Sequence, residues 1–222
     1  MTGPETPPTA ADSVDAFFLA VADGGTAAVR AFLHDEPTLL AAVSPDGARA
    51  PLAALYAGHM ALADELAGRS APLDVHESAA FDDNGRLRAL LRENPGAVAA
   101  WSLDGWQPLH LAAYFGRVEA VRQLLDLDAP VDEPSRNTLR VTALHAAASA
   151  SHSEIVWLLI AAGASVNSRQ RGGSTALHLA AAAGDADSAR ALLSAGAKAD
   201  AKNDAGHKPA DVATPQIRAL LP

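Results

Sequence analysis

The chain has 222 residues, with 17 Lys and Arg against 26 Asp and Glu, so its formal net charge is −9, and it contains no cysteine. The absence of cysteine excludes a disulfide scaffold and every zinc or iron–sulfur site that depends on thiolate ligands. An acidic chain is repelled by nucleic acid and by anionic membranes, so we expect neither as a partner.

The N-terminal segment has none of the features of a targeting sequence. Residues 1–11 are rich in Thr and Pro and lack both the basic start and the apolar run of a signal peptide. The chain also lacks the run of about 18 apolar residues, free of charges, that a membrane span requires. We therefore expect a disordered tail over 1–11 on a soluble protein of the cytoplasm.

Two related stretches follow the tail, separated by a period of 58 residues. The phrase that begins at Phe32 corresponds to the phrase that begins at Leu90, and Gly58 corresponds to Gly116. Each stretch has room for two helix pairs, and only the second pair is preceded by a hairpin turn. The predicted units without a hairpin are 12–46 and 75–103, and those with one are 47–74 and 104–136. The row of hairpins should therefore be interrupted near residue 75.

A phrase of the type Leu-His-x-Ala-Ala occurs three times in the second half of the chain. It begins at Leu109, Leu144 and Leu177, at spacings of 35 and 33 residues. An apolar pair at helical spacing and a turn follow each copy, which indicates two short helices joined by a turn. Such a pair cannot cover its own apolar face, so neighbouring pairs must stack. The predicted pairs are 104–136, 137–169 and 170–202, with a shortened C-terminal cap over 203–222.

These phrases resemble the ankyrin repeat, which is about 33 residues long and has the signature Thr-Pro-Leu-His-x-Ala. The resemblance implies an all-α fold, in which helix-turn-helix units with short β-hairpin fingers stack into one elongated solenoid domain. It also implies a non-enzymatic module that binds a protein partner on its concave surface, which the fingers and the first helices form. The heavy use of Ala, Arg and Asp hints at a bacterial member of the family.

Three histidines recur at one position of the repeat: His110, His145 and His178. A metal site needs two or three ring nitrogens at one point, whereas stacked helices lie about 10 Å apart. The resemblance implies a structural role instead, in which each imidazole ties the start of a first helix to neighbouring backbone. The other histidines have no metal-binding spacing, and the Gly172-Gly173 segment lacks the Lys of a phosphate loop. We therefore expect no metal, no cofactor and no catalytic residue.

Residues that the repeat does not need for its core are candidates for contact with a partner. Aromatic and Arg side chains are enriched at binding hot spots, and both kinds occur at such positions. The candidate set is Leu103, Trp106, Tyr114, Phe115, Arg136, Arg140 and Arg171. The alternative is that Trp106 and Phe115 only pack on a neighbouring finger, that Trp101 fills a gap in the row, and that the arginines are merely solvated.

The spacing of 35 between the first two copies predicts a hairpin turn two residues longer than the others, over 134–140. Insertions at such loop tips are tolerated and often functional. We therefore expect a monomeric protein that binds an unidentified protein partner of acidic or mixed charge. The alternative function is that of an inhibitor or immunity-type regulator, which occludes the active site of a partner enzyme.

Overall fold

The computed structural model describes residues 10–70 and 72–221, and in this part of the chain the regular elements are helices. The α-helices are α1 Ala10–Ala22, α2 Thr26–Asp35, α3 Ala50–Tyr56, α4 Met60–Arg69, α5 Val75–Ala80, α6 Asn84–Glu93, α7 Pro108–Tyr114, α8 Val118–Leu125, α9 Ala143–Ser149, α10 Ser153–Ala161, α11 Ala176–Ala183, α12 Ala186–Ser194, α13 Pro209–Val212 and α14 Pro215–Arg218. Two 3₁₀ helices, Pro37–Ala41 and Pro95–Ala99, follow α2 and α6 and repeat the 58-residue period. The predicted all-α class is confirmed.

The first helix begins earlier than the sequence analysis expects. Because α1 starts at Ala10, residues 10 and 11 are helical rather than part of a tail. Alanine has the highest helix propensity, and Asp12 in the first turn interacts favourably with the positive end of the helix dipole. The remainder of the expected tail, residues 1–9, lies outside the described residues.

The chain divides into two compact units, one ending at Leu73 and the other beginning at Asp74. The first unit contains α1 to α4. Its core is built around Phe17, which is fully buried and packs edge to face against Phe18 and Phe32, with ring centroids 5.3 and 6.2 Å apart. A turn closed by a hydrogen bond from the Ser44 N–H to the Ala48 carbonyl, at 2.8 Å, precedes α3.

The second unit contains α5 to α14, arranged as two rows of helices. The first helices of successive pairs, α5, α7, α9, α11 and α13, pack against each other in order, and so do the second helices α6, α8, α10, α12 and α14. Small side chains allow the first helices to approach closely, and Ala112, Ala147 and Ala180 are fully buried between them. Leu124 and Leu159 of the second helices complete one continuous apolar core, which extends from Val75 to Ile217.

The turn inside each helix pair requires a left-handed backbone. Gly116 follows α7 with φ +73°, and a Cβ atom there would lie 2.6 Å from the ring of His152. The His152 ring fills this space because its Nε2 bonds to the Tyr114 carbonyl oxygen at 3.0 Å. Glycine is needed here for both its conformation and its size. The corresponding turns after α5 and α9 place Asp82 and Ser151 in the same left-handed region.

Candidate protein-interaction surface

Within residues 74–221, four hairpin turns, which we call fingers, precede the helix pairs that begin with α7, α9, α11 and α13. Three of them, 102–106, 170–174 and 203–207, are closed by a backbone hydrogen bond between their end residues, at 2.8, 3.0 and 2.9 Å. The fourth, 135–141, is closed by a bond of 2.8 Å from the Ser135 N–H to the Val141 carbonyl. This long finger is two residues longer than the others, in agreement with the spacing of the sequence phrases.

Backbone hydrogen bonds join the fingers into one continuous row. The Arg136 N–H donates to the Gly105 carbonyl at 2.9 Å, and the Arg171 N–H donates to the Leu139 carbonyl at 3.0 Å. The Asp204 N–H continues the series by donating to Gly172 at 3.0 Å. The side chains of the finger row are therefore carried by a connected backbone rather than by independent loops.

His110 links one helix pair to the next. Its Nε2 lies 3.0 Å from the Glu133 carbonyl oxygen, and its Nδ1 lies 3.3 Å from the Gln107 backbone N–H. Because a carbonyl oxygen only accepts, Nε2 carries the proton and Nδ1 accepts the hydrogen bond, so the ring is neutral. Burial lowers the pKa of His110 to about 4, although its hydrogen bonds to backbone carbonyls favour the charged form.

His145 and His178 repeat this arrangement in the next two pairs. Their Nε2 atoms lie 3.0 Å from the carbonyl oxygens of Ser168 and His207. Their Nδ1 atoms accept from the backbone N–H groups of Thr142 and Thr175, each at 3.2 Å. Burial lowers the pKa of both imidazoles. Each ring therefore connects the start of its own first helix to the segment that follows its second helix.

The first pair of the second unit uses different residues for the same connection, which the sequence analysis missed. Asp74 caps α5 and forms a reciprocal pair of hydrogen bonds with Glu77, which occupies the position of the repeated histidine. The link to the next pair comes from His76, whose Nε2 lies 3.0 Å from the Ala100 carbonyl oxygen. The spacing Asp-x-x-Glu is a capping-box signature and was the available signal. Among the described residues 72–74, no finger precedes α5, because α5 begins directly after Asp74.

The structure separates the candidate aromatic residues into two groups. Trp106 is half-buried at the end of the first finger, with its ring centroid 5.8 Å from that of His110. Tyr114 and Phe115 pack edge to face at 5.1 Å, at the opposite end of α7, and Tyr114 remains 45% exposed. A helix of this length spans about 10 Å, so these rings do not form a single cluster with Trp106.

The candidate arginines are exposed on the fingers. Arg136 places its guanidinium 4.4 Å above the centre of the half-buried Trp101 ring, a cation–π contact. Arg171 makes a long hydrogen bond of 3.4 Å from its Nη1 to the Thr138 carbonyl oxygen. Arg140 lies on the long finger. Within residues 10–70 and 72–221, none of these three guanidinium groups pairs with a carboxylate.

Apolar side chains on the finger row are unusually exposed. Leu103, a candidate from the sequence, is 81% exposed in the first finger. Leu139, in the long finger, is 54% exposed and was missed, although an apolar residue in an inserted turn was a usable signal.

Trp157 on α10, outside the finger row, is 50% exposed and was also missed. It lies midway between Ile155 and Leu159 in sequence, and this spacing turns its side chain away from the core.

A groove lies away from the finger row, between α6 and α8. Its volume is about 410 Å³, and its walls are formed by Arg88, Leu91, Arg92, Pro95, Gln123, Asp126 and Leu127. None of the candidate residues lines this groove.

In the described part of the chain, no helix has the length and apolarity needed to cross a bilayer. Among the same residues, no group of three or more His, Asp or Glu side chains is arranged to hold a metal ion.

The chain is similar to segments of known animal proteins. It is 43% identical over 74 residues to alpha-latroinsectotoxin-Lt1a of Latrodectus tredecimguttatus, a match that covers 33% of this chain and 5% of the toxin. It is also 37% identical over 83 residues to ankyrin repeat and SOCS box protein 3 of Homo sapiens, covering 37% of this chain and 16% of that protein. The Bos taurus protein of the same name is 36% identical over 83 residues. The chain thus spans only a small part of the length of these relatives.

The family model for ankyrin repeats in three copies matches residues 75–170 and 131–203, which together make up more than half of the chain. The matched region includes the three Leu-His-x-Ala-Ala phrases, α5 to α12 and most of the finger row. The chain therefore belongs to the ankyrin-repeat family.

Proposed function

We propose that the chain binds a protein partner through its finger row and the exposed end of α7. Ankyrin repeats are generally protein-interaction modules and are typically not enzymes. The observation that carries the proposal is the exposure of Leu103 and Leu139, at 81% and 54%, on fingers whose three arginines have no carboxylate partner among the described residues. Exposed leucines flanked by guanidinium groups provide both the apolar contact and the polar rim of a binding patch.

The connected backbone of the fingers favours this role. Because Arg136 and Arg171 are held by backbone hydrogen bonds to neighbouring fingers, the row needs little ordering when a partner arrives. Preorganisation reduces the entropic cost of association, so more of the interaction energy appears as affinity. Tyr114 and Phe115, at the far end of α7, form a second contact that an extended partner reaches while it occupies the fingers.

Two alanine variants test this assignment. The partner is first identified by crosslinking and affinity purification from native lysate, and Trp106→Ala and Phe115→Ala are then measured for affinity and for melting temperature. Truncation of a central aromatic anchor costs about 2 kcal/mol or more of binding free energy, roughly a thirtyfold loss of affinity. Trp157→Ala is the matched control, because Trp157 is exposed on α10 and outside the finger row.

The competing interpretation predicts a different pair of results. If the two aromatic side chains serve only packing, both variants will melt at much lower temperature and bind the partner as tightly as the wild type. That outcome would contradict the proposal for these residues. Equal losses of affinity in Trp157→Ala and Trp106→Ala would show that the binding surface is not confined to the fingers.

A second candidate function is the regulation of a partner enzyme. Arg136, Arg140 and Arg171, which form no ion pair with the described residues, lie on the fingers with exposed leucines and suit insertion into an acidic active-site cleft, so the protein would act as an inhibitor or immunity-type factor. In that case a purified partner enzyme loses activity in proportion to the complex formed. An enzyme that remains fully active in the complex indicates a scaffold instead.

The finer properties of the proposal rest on composition. A net charge of −9 and the absence of cysteine favour a monomeric protein of the cytoplasm that avoids nucleic acid and membranes and needs no cofactor. A bacterial source is proposed from the heavy use of Ala, Arg and Asp. Size-exclusion chromatography with light scattering tests the monomeric state directly.

A further inference from the structure

The long finger breaks a rule that the other fingers obey. The carbonyl of the last residue of each finger accepts the hydrogen bond that closes the turn. The residue before it, the next-to-last of the finger, has a left-handed backbone. Glycine occupies this position at 105, 173 and 206, with φ values of +81°, +76° and +82°, and at 47, with φ +94°, in the similar turn before α3. In the long finger the position belongs to Arg140, with φ +52°.

Arginine is a costly choice for this turn. The left-handed region is unfavourable for a residue with a Cβ atom, whereas glycine enters it freely. Among the described residues, no polar contact of the Arg140 side chain offsets this cost. In the residues that the structure describes, its guanidinium has neither an ion pair nor a hydrogen bond. Backbone strain of this kind is characteristic of binding sites, where a side chain is held in place for an external group.

The neighbourhood of Arg140 is locally basic. Arg136 lies on the same finger, and Arg171 lies on the next, where its backbone N–H bonds to the carbonyl of Leu139 at 3.0 Å. Two carboxylates of neighbouring segments are engaged elsewhere: Asp204 pairs with Arg169 at 3.1 Å, and Asp132 accepts a hydrogen bond from the Ser165 backbone N–H at 2.8 Å. Three guanidinium groups that form no ion pair with the described residues therefore lie on the same two fingers as the exposed Leu139, in a chain of net charge −9.

We infer that the long finger selects an acidic protein segment, with a carboxylate bound by Arg140 and an adjacent apolar side chain placed on Leu139. A guanidinium binds a carboxylate through two parallel hydrogen bonds, which gives direction as well as charge. Arg136 and Arg171 flank this contact and accommodate neighbouring carboxylates. The inference rests on the proposed function, because it names the chemistry of the partner that the finger row binds.

A nucleic acid fits these observations less well. Three guanidinium groups on two fingers neutralise few phosphates, and the remaining surface of an acidic chain repels a strand with one charge every few ångströms. A protein segment can carry carboxylates only at the positions that face the arginines, and its apolar side chains can pack against Leu139. RNA is therefore the outcome that the test must exclude.

The experiment uses the full-length chain and a display library of short random peptides. Peptides are selected on the wild type, and the affinities of the selected peptides are then measured for the wild type, Arg140→Gly, Trp106→Ala and Arg88→Gln. Arg88 is an exposed arginine of α6 outside the finger row, so Arg88→Gln makes the same change in net charge and serves as the matched control. A single-stranded RNA oligonucleotide is assayed in parallel.

The expected result is a selected pool enriched in Asp and Glu next to aliphatic residues. Arg140→Gly should lose affinity for these peptides by about tenfold or more, as expected for a lost charge-assisted hydrogen bond. Its melting temperature should not fall, because glycine suits the left-handed turn. Arg88→Gln should bind as the wild type does, and added salt should weaken wild-type binding more than it weakens binding by Arg140→Gly.

Several outcomes would overturn the inference. These are a selected pool that is neutral or basic, an empty pool, unchanged affinity in Arg140→Gly, or RNA that binds more tightly than the peptides. Failure here is distinguishable from failure of the proposed function. If the selected peptides depend on Trp106 but not on Arg140, the finger row still binds protein and only the acidic specificity is wrong.

Discussion

His110 combines deep burial with hydrogen bonds on both ring nitrogens, and this combination makes its protonation costly. Protonation would place a second proton on Nδ1, which faces the backbone N–H of Gln107 at 3.3 Å. The hydrogen bond would be lost, and a charge would be introduced where water is excluded. His145 and His178 have the same geometry, so the cost is repeated along the second unit.

The free energy of unfolding should therefore depend on pH through these histidines. In the unfolded chain each imidazole takes up a proton near pH 6.5, whereas in the folded protein His110 does so only at about pH 4. The unfolded state binds more protons between these values, so stability is fully present above about pH 6.5 and falls as the pH is lowered toward 4. The full shift of His110 corresponds to about 3 kcal/mol, and His145 and His178 act in the same direction.

The variant His110→Gln tests this prediction. Glutamine offers an acceptor and a donor without titrating, so the variant should be less stable near neutral pH but should lose less stability on acidification. Urea unfolding at several pH values between about 7 and about 4.5 measures the slope. An unchanged slope would contradict the assignment and would move the pH dependence to the carboxylates.

The sequence predicted the repeated histidines but not every residue that performs the same task. His110, His145 and His178 stand out because a short phrase surrounds each of them. Glu77 and His76 perform the linkage in a pair whose phrase is altered, and repetition alone does not detect such a substitution. The contacts of the finger arginines could not be predicted, although the residues themselves stood out as candidates, because such contacts reach residues about 33 positions away, as between Arg171 and Thr138.

At the scale of elements, the first helices pack closely because alanine fills their contact faces. Ala147 is fully buried in α9, between α7 and α11. The helix pairs and their order could be predicted from the spacing of the phrases, since period and apolar pattern are properties of the sequence. The 3₁₀ helices Pro37–Ala41 and Pro95–Ala99 could not, because a Pro followed by small and apolar residues is compatible with several local conformations.

Overfilling this close contact should destabilise the protein. Ala147→Leu adds three carbons where no space exists, and such substitutions cost about 1–3 kcal/mol. Ala182→Leu is the control, because Ala182 is exposed near the end of α11 and leucine is nearly as good a helix former as alanine. Thermal and urea unfolding of both variants provide the measurement. Equal stability of the two variants would show that the first helices are not tightly packed.

At the scale of the whole molecule, the second unit has the parts of an independently folding structure. Its apolar core is continuous from Val75 to Ile217, and its first helix carries its own capping box at Asp74 and Glu77. In repeat proteins each unit is stabilised mainly by its neighbours, so a complete series of stacked pairs folds without distant segments.

A fragment that begins at Asp74 should therefore fold by itself. We expect a helical circular dichroism spectrum and a cooperative thermal transition. A second fragment that begins at Asn84 is the matched control, since it lacks α5 and exposes the face of α7 that α5 covers. It should melt at lower temperature than the first. If the fragment that begins at Asp74 shows no cooperative transition, its core depends on the residues up to Leu73.

Two indole rings lie close to His110, so the tryptophan fluorescence of the protein should report the protonation of this imidazole. Trp101 and Trp106 lie with their ring centroids 6.1 and 5.8 Å from the imidazole, one on each side of the junction between two repeats. A positively charged imidazole accepts an electron from an excited indole and quenches its emission, whereas a neutral imidazole does so far less. We therefore expect the emission of Trp101 and Trp106 to fall when His110 is protonated, whereas the emission of Trp157, which is exposed on α10, should not follow this proton.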